Sequence, residues 1–214
     1  MTSLDLREQL DQHGLIGPFS LSEPAHASLP QLIAAAAIEP NPRNLHARLP
    51  LAQTVISDAA ISGLVQQLFG SGYQLWRTNF FRRDAGAPHP GVALHHDKHF
   101  QSAEAAIDFL ELGDHLSIVI GLDAIDARNG CFLYLPGSHR GQPAGMLRDT
   151  LPFEQRPLED HFPEIPVPLL SQLLELALPA GSFCLFHSAL LHGSSPSGGD
   201  AGRTSMVARL VRST

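Results

Sequence analysis

Leu4, Leu6, Leu10 and Leu15 recur at roughly helical spacing through a charged segment that Gly17-Pro18 ends. Leu29 to Ile38 and Ser57 to Phe69 repeat that spacing before Pro40 and Gly70 stop them. From Tyr73 onward the period shortens. Tyr73 to Phe81, Val92 to Asp97, His115 to Leu122, Cys131 to Leu135, Gly181 to Phe186 and Thr204 to Val211 are short runs rich in Leu, Ile, Val and Phe, the composition of half-buried strands. Arg128-Asn129-Gly130, Pro136-Gly137-Ser138 and Pro179-Ala180-Gly181 supply turns between them. The pattern predicts a mainly β fold with flanking helices, a jelly-roll barrel (double-stranded β-helix, cupin-like). Residues 1–72 form a mostly helical scaffold, residues 73–214 the jelly-roll core, and 1–214 one domain. His139 to Pro168, rich in proline, reads as a long surface connection.

Composition narrows the class. A chain of 214 residues, 43% hydrophobic and 16% charged, has the make-up of an ordinary globular domain, which excludes wholesale disorder, collagen-like repetition and coiled coil. The formal charge of -7 argues against nucleic acid as a partner, because displacing counterions from phosphates requires a basic face. No apolar run approaches the roughly 18 residues of a membrane span, and the polar start MTSLDLREQLDQHG has no signal-peptide core, so a cytoplasmic protein without membrane attachment is expected. Cys131 and Cys184 lie in apolar runs and read as buried, reduced thiols. Twelve histidines invite a search for metal or proton chemistry.

That search leads to Leu94-His95-His96-Asp97-Lys98-His99. In a strand, His95 and Asp97 project to one side and could hold one metal ion, while His96 points away. A third ligand can come from Phe186-His187-Ser188-Ala189-Leu190-Leu191-His192-Gly193, which offers two histidines. Two imidazoles and one carboxylate are the ligand set of non-haem iron(II) oxygenases, which leaves three coordination positions open. Eleven residues beyond His192, Arg203 enters an apolar strand, where its guanidinium can pair with the distal carboxylate of a dicarboxylate cosubstrate; Ser205, on the same strand face, adds a hydroxyl. Against these stand plain alternatives: a hydrogen-bonded His-Asp pair and a solvated strand-end arginine.

Three blocks resemble the phytanoyl-CoA dioxygenase family of iron(II)/2-oxoglutarate oxygenases: His95-His96-Asp97, the stretch from Asp126 through Asn129-Gly130-Cys131 to Pro136-Gly137-Ser138-His139, and His192 to Arg203 with its eleven-residue step. Gly14 to Phe19, Arg43-Asn44-Leu45-His46 and Leu75 to Phe81 are similar to the branch containing non-haem iron halogenases and related hydroxylases. The resemblance covers about residues 5 to 212. It implies His95, Asp97 and His192 as iron ligands and Arg203 as the 2-oxoglutarate anchor, with Asp97 and Arg203 central to catalysis; His187 then becomes a hydrogen-bonded core residue. In the halogenases a small residue replaces the carboxylate and chloride takes its place, so Asp97 points to hydroxylation instead. The implied reaction uses iron(II), 2-oxoglutarate and O2, releases succinate and CO2, and oxidises an unactivated C–H bond of a small amino-acid-like or natural-product molecule. Val119 stands where some acyl-CoA-directed relatives carry a larger aromatic residue, so the phytanoyl thioester is not implied.

Arg77, Asn79 and Phe81 share one face of the strand from Tyr73, the face that lines the site in the halogenase-like branch. Arg77 is expected to bind a carboxylate of cosubstrate or substrate, Asn79 to orient a polar group and Phe81 to pack against either molecule. His99 is expected to line the pocket. Arg209 shares parity with Arg203 and is expected to reach the cosubstrate or a substrate acid group, or to pair with a buried acid. Phe100 to Asp114 reads as a lid. Two rival readings keep the barrel: a cupin-like isomerase or hydrolase with zinc or manganese on His95, Asp97, His99 or His192, and a catalytically silent binding module.

Overall fold

The computed structural model describes residues 5–39, 41–95, 97, 115–140 and 167–212. Helices α1 (Leu6–His13), α2 (Glu23–Ala37), α3 (Pro50–Ile56) and α4 (Ala59–Phe69) come first, with β1 (Leu15–Ser20) between α1 and α2. Strands β2 (Tyr73–Arg83), β3 (Val92–His95), β4 (His115–Gly121) and β5 (Phe132–Tyr134) follow. Helix α5 (Val167–Leu170) precedes β6 (Leu174–Leu176), β7 (Ser182–His187), β8 (His192–Ser194) and β9 (Arg203–Arg212). Two antiparallel sheets result, one ordered β1-β7-β4-β9-β2 and the other β3-β8-β5-β6. This is the jelly roll that the turn-punctuated runs predict.

Several elements differ from the pattern-based expectation, each for a local reason. Helix α1 ends at Gly14, and the Gly17-Pro18 pair expected to end it instead lies inside β1, where the pairing with β7 shifts register between Ile16 and Phe19. Helix α2 begins six residues earlier than Leu29, because Pro24 sits in the first turn, where a missing N–H costs nothing. Pro50 opens α3 in the same way. Strands β6 and β8 are three residues each, too short to leave a periodic signal.

Alternation builds the two cores. On β4 the side chains of Leu116, Ile118 and Ile120 pack with Met206 and Ala208 of β9 and with Leu29, Leu32, Val55 and Ile61 of the helical layer. The intervening Val119 faces inward with Cys184, Phe186 and Phe132. Burying each such aliphatic side chain contributes about 1.5–3 kcal/mol, so β4, buried on both faces, anchors the barrel. The inward face of the five-stranded sheet turns polar along β9 and β2, with Arg203, Ser205 and Arg209 opposite Arg83, Phe81 and Arg77. A register shift between Leu75 and Arg77 makes Trp76 a bulge. Leu75 therefore packs against the helical core although Arg77, two residues on, lines the interior. Among the described residues no helix is long and apolar enough to cross a membrane.

Candidate active site

Strands β3 and β8 pair so that His95 stands directly opposite His192, their ring centroids 4.4 Å apart. Gly193 permits this approach: a Cβ there would lie 2.5 Å from the carbonyl oxygen of Val92. Asp97 joins from beyond the strand. β3 ends at His95, so the alternation expected for Val92 to Asp97 is not what positions the carboxylate. Its backbone N–H donates to Ser188 O at 2.7 Å, tying the chain after β3 to the turn between β7 and β8. One donor atom from each of His95, Asp97 and His192 lies within 4.8 Å of the others, the one such group of three among the described residues.

The neighbours settle which atoms remain for a cation. His95 Nδ1 lies 2.9 Å from Ala93 O, and His192 Nδ1 lies 2.9 Å from Leu190 O. A carbonyl only accepts, so each Nδ1 carries the proton and each Nε2 keeps its lone pair. Burial, reinforced by His95, pushes His192 down to about 3, which leaves it uncharged at neutral pH. Burial alone would raise Asp97, but Arg209, together with the neighbouring His192 and His95, more than offsets it and holds the carboxyl well below its usual value. Arg209 Nη2 donates to Asp97 Oδ1 at 2.7 Å, and Ser117 Oγ donates to Oδ2 at 2.6 Å. Two imidazoles and an ionised carboxylate fit a divalent iron with positions left for further ligands.

The Pro136-Gly137-Ser138-His139 block holds this centre from behind. Ser138 Oγ accepts the N–H of Leu191, the residue before His192, at 2.9 Å and donates to Leu135 O at 2.8 Å. His139 Nε2 bonds Asp11 O at 2.9 Å, which fixes the block to α1. His187 is buried, with Nδ1 accepting from the Ala189 N–H at 3.0 Å. It is the hydrogen-bonded core residue expected.

A cavity of about 630 Å³ opens beside His95 and His192 and reaches Arg203 and Ser205. Arg203 Nε donates to Asn129 O at 3.1 Å and Nη1 to Ser205 Oγ at 3.0 Å. Burial, with Arg83 nearby, lowers Arg203 to about 10, so it stays charged at neutral pH. Asn129 presents its carbonyl because its side chain is clamped, Oδ1 accepting from Asp126 N and Nδ2 donating to Ala124 O, each at 2.9 Å.

Arg77, Asn79 and Phe81 line the same cavity, on the face that parity assigned them. Arg209 also lines it, but its guanidinium is taken by Asp97 and, at 3.1 Å, by Asn79 Oδ1. Of its expected roles the structure shows the buried ion pair. His99, the lid at Phe100 to Asp114 and most of the connection from His139 to Pro168 lie outside the described residues. Sequence reasoning missed Ser117, whose signal was a lone hydroxyl in an otherwise apolar buried run. It also missed Arg83, which two further residues of the Arg77-Asn79-Phe81 parity reach, and His89, which has no local signal.

The chain is similar to several known proteins. A curated relative, phytanoyl-CoA dioxygenase domain-containing protein 1 of Bos taurus, is 29% identical over 134 residues, covering 58% of this chain and 41% of that protein. The matched part thus spans about two fifths of the relative's length. The apo form of ThoJ, described as a non-heme monooxygenase, superposes with a TM-score of 0.73 at 22% identity, covering 97% of this chain and 77% of that one. EctD from S. alaskensis with bound Fe gives a TM-score of 0.73 at 18% identity, covering 99% of this chain and 77% of that one. At these identities the likeness is one of fold. The model of the family described as phytanoyl-CoA dioxygenase matches residues 31–205, most of the sequence, and the chain belongs to that family.

Proposed function

We propose that this chain is an iron(II)- and 2-oxoglutarate-dependent oxygenase that hydroxylates an unactivated C–H bond of a small, amino-acid-like or natural-product molecule, releasing succinate and CO2. Iron(II), 2-oxoglutarate and O2 are the family's cofactor, cosubstrate and oxidant. The observation that carries the reading is that His95, His192 and Arg203 line one cavity, with Asp97 buried beside the two imidazoles. Its volume of about 630 Å³ lies within the roughly 300–1,000 Å³ usual for small-molecule sites.

His95, Asp97 and His192 would hold the metal through two Nε2 atoms and the carboxylate. Bound there with 2-oxoglutarate, iron would activate O2, the oxidant that the cleavage of the C–H bond requires. The residues of this chain hold and orient. Arg203 and Ser205 receive the far carboxylate of 2-oxoglutarate, Arg209 and Ser117 keep Asp97 ionised and aimed, and the apolar wall of Val119, Ile125, Phe132 and Val207 excludes water.

Arg77, Asn79 and Phe81 receive the substrate. Six arginines but one carboxylate, Glu39, line the cavity of a chain whose formal charge is -7; Arg209 and Arg82 are paired with Asp97 and Asp84, and Glu39 with Arg48, which still leaves the lining with an excess of positive charge. Such a pocket concentrates anions, so the substrate is read as a small acid. The test is incubation with ferrous iron, 2-oxoglutarate and a panel of small carboxylic and amino acids, reading succinate and product mass. Iron-dependent succinate with one added oxygen supports hydroxylation. Conversion that proceeds with zinc and without 2-oxoglutarate would transfer the site to isomerase or hydrolase chemistry.

A further inference from the structure

Arg83 and Arg203 are direct cross-strand partners in the β2–β9 ladder, and both are buried, at 6% and 7% exposure. Like charges directly opposite each other destabilise a strand pair, and burial weakens the screening that would soften the repulsion. The usual remedy is a carboxylate between them. Among the described residues neither arginine has one. Arg83 Nη1 donates to Asn129 O at 2.8 Å and to Ser195 O at 3.0 Å, and Nη2 donates to Ser194 Oγ at 2.6 Å. Arg203 shares the same Asn129 oxygen. Every one of these acceptors is neutral, so two positive charges stand together uncompensated.

The surroundings look built for this pair. Gly130, next to the shared carbonyl, has φ +91°, and a Cβ there would come within 1.8 Å of Arg83 Nη1. The Asn129-Gly130 turn therefore both bends the chain and leaves space for the second guanidinium. His89 lines the same cavity, and its Nδ1 accepts the Gly91 N–H at 3.0 Å, which puts the ring proton on Nε2 as a donor. Burial, then Arg83 and Arg203, lowers the His89 pKa, placing the imidazole within reach of both cations' fields. Arg83 Nε and Arg203 Nη2 carry no hydrogen bond among the described residues, and both side chains face the cavity.

We propose that Arg83 and Arg203 together form a two-guanidinium clamp for the far carboxylate of 2-oxoglutarate, with His89 as a third donor, and that Arg83 is the residue that makes the site select a dianionic 2-oxo acid over a monoanionic one. The proposal rests on the 2-oxoglutarate reading above. It goes beyond that reading by giving half of the anchoring charge to a residue on β2 rather than to Arg203 and Ser205 alone.

Titration calorimetry on the manganese-loaded protein tests it without turnover, using 2-oxoglutarate and 2-oxopentanoate, which has the same carbon chain but ends in a methyl group. Unaltered protein should prefer 2-oxoglutarate by about 100-fold or more. Arg83→Gln should cut that preference at least about tenfold while leaving 2-oxopentanoate affinity within about twofold, and Arg83→Lys should restore most of it. An unchanged preference in Arg83→Gln, or an equal loss of affinity for both acids, would reduce Arg83 to a structural tie and overturn the clamp. If Arg83→Gln does not fold, ¹⁵N-arginine spectra of the unaltered, zinc-loaded protein decide. Two guanidinium resonances moving with 2-oxoglutarate but not with 2-oxopentanoate support the clamp, and one moving resonance overturns it. Unaltered protein that binds neither acid would instead bring down the functional reading beneath it.

Discussion

Arg209 Nη2 donates to Asp97 Oδ1 at 2.7 Å, and the two side chains are 4% and 0% exposed. The pair crosses the barrel interior, from β9 to the segment after β3, and it supplies Asp97 with the compensation that a buried carboxylate needs before any cation arrives. Ser117 on the other oxygen completes a cradle. Metal affinity and fold stability are therefore coupled at this residue.

Asp97→Ala should abolish hydroxylation and, by leaving Arg209 buried without its acid, destabilise the fold by about 3–5 kcal/mol. His192→Ala should weaken metal binding greatly at smaller cost to stability, because no charge loses its partner. Urea unfolding and metal titration separate the two effects. Full activity in either variant refutes the ligand assignment, and an Asp97→Ala protein as stable as the unaltered one refutes the coupling.

The ion pair also fixes a pH dependence. Because the folded-state carboxyl of Asp97 is held below its unfolded value, its contribution to stability is complete above about pH 4 and is lost as pH falls through the lower folded value. Arg209→Met removes the main influence holding that value down. The variant should lose about 3–5 kcal/mol at neutral pH and begin its acid unfolding at higher pH than the unaltered protein, read by circular dichroism in a pH series at fixed urea. Coincident acid transitions would show that Arg209 does not govern Asp97.

Gly193→Ala places a methyl group 2.5 Å from the Val92 carbonyl and must push β3 from β8. His95 and His192 separate with them. The expected result is roughly a tenfold or greater loss of manganese affinity with a folded barrel, destabilised by about 1–3 kcal/mol. Unaltered affinity would mean that the β3–β8 approach does not set the site.

Much of this was legible in the residues because alternation is a local rule. The β9 face carrying Arg203, Ser205 and Arg209, and the β2 face carrying Arg77, Asn79 and Phe81, follow from period two alone, and these residues do line the cavity. Asp97 shows the limit of that rule. It meets His95 and His192 through bonds to Ser188, Ser117 and Arg209, partners 20 to 112 residues away by sequence, of which strand parity knows nothing. The bulge at Trp76 is similar, since only the register against β9 reveals that Leu75 and Arg77 take opposite faces. Short β8 escaped because three residues show no period, although the glycine after His192 marks a close backbone approach.

Arg203→Ala should raise the 2-oxoglutarate requirement about 100-fold while leaving metal affinity unchanged, because the guanidinium bonds Asn129 and Ser205 and none of the three metal-facing side chains. Succinate release against 2-oxoglutarate concentration measures it. An unaltered requirement would remove Arg203 from the anchor.

The most direct measurement of the central claim is an anaerobic titration of the ferrous protein with 2-oxoglutarate, followed in the visible spectrum. Chelation of iron held by His95, Asp97 and His192 predicts a metal-to-ligand charge-transfer band that saturates at one equivalent and is missing from His192→Ala. A ferrous protein that stays colourless as 2-oxoglutarate is added, or a band that survives the loss of His192, would contradict it.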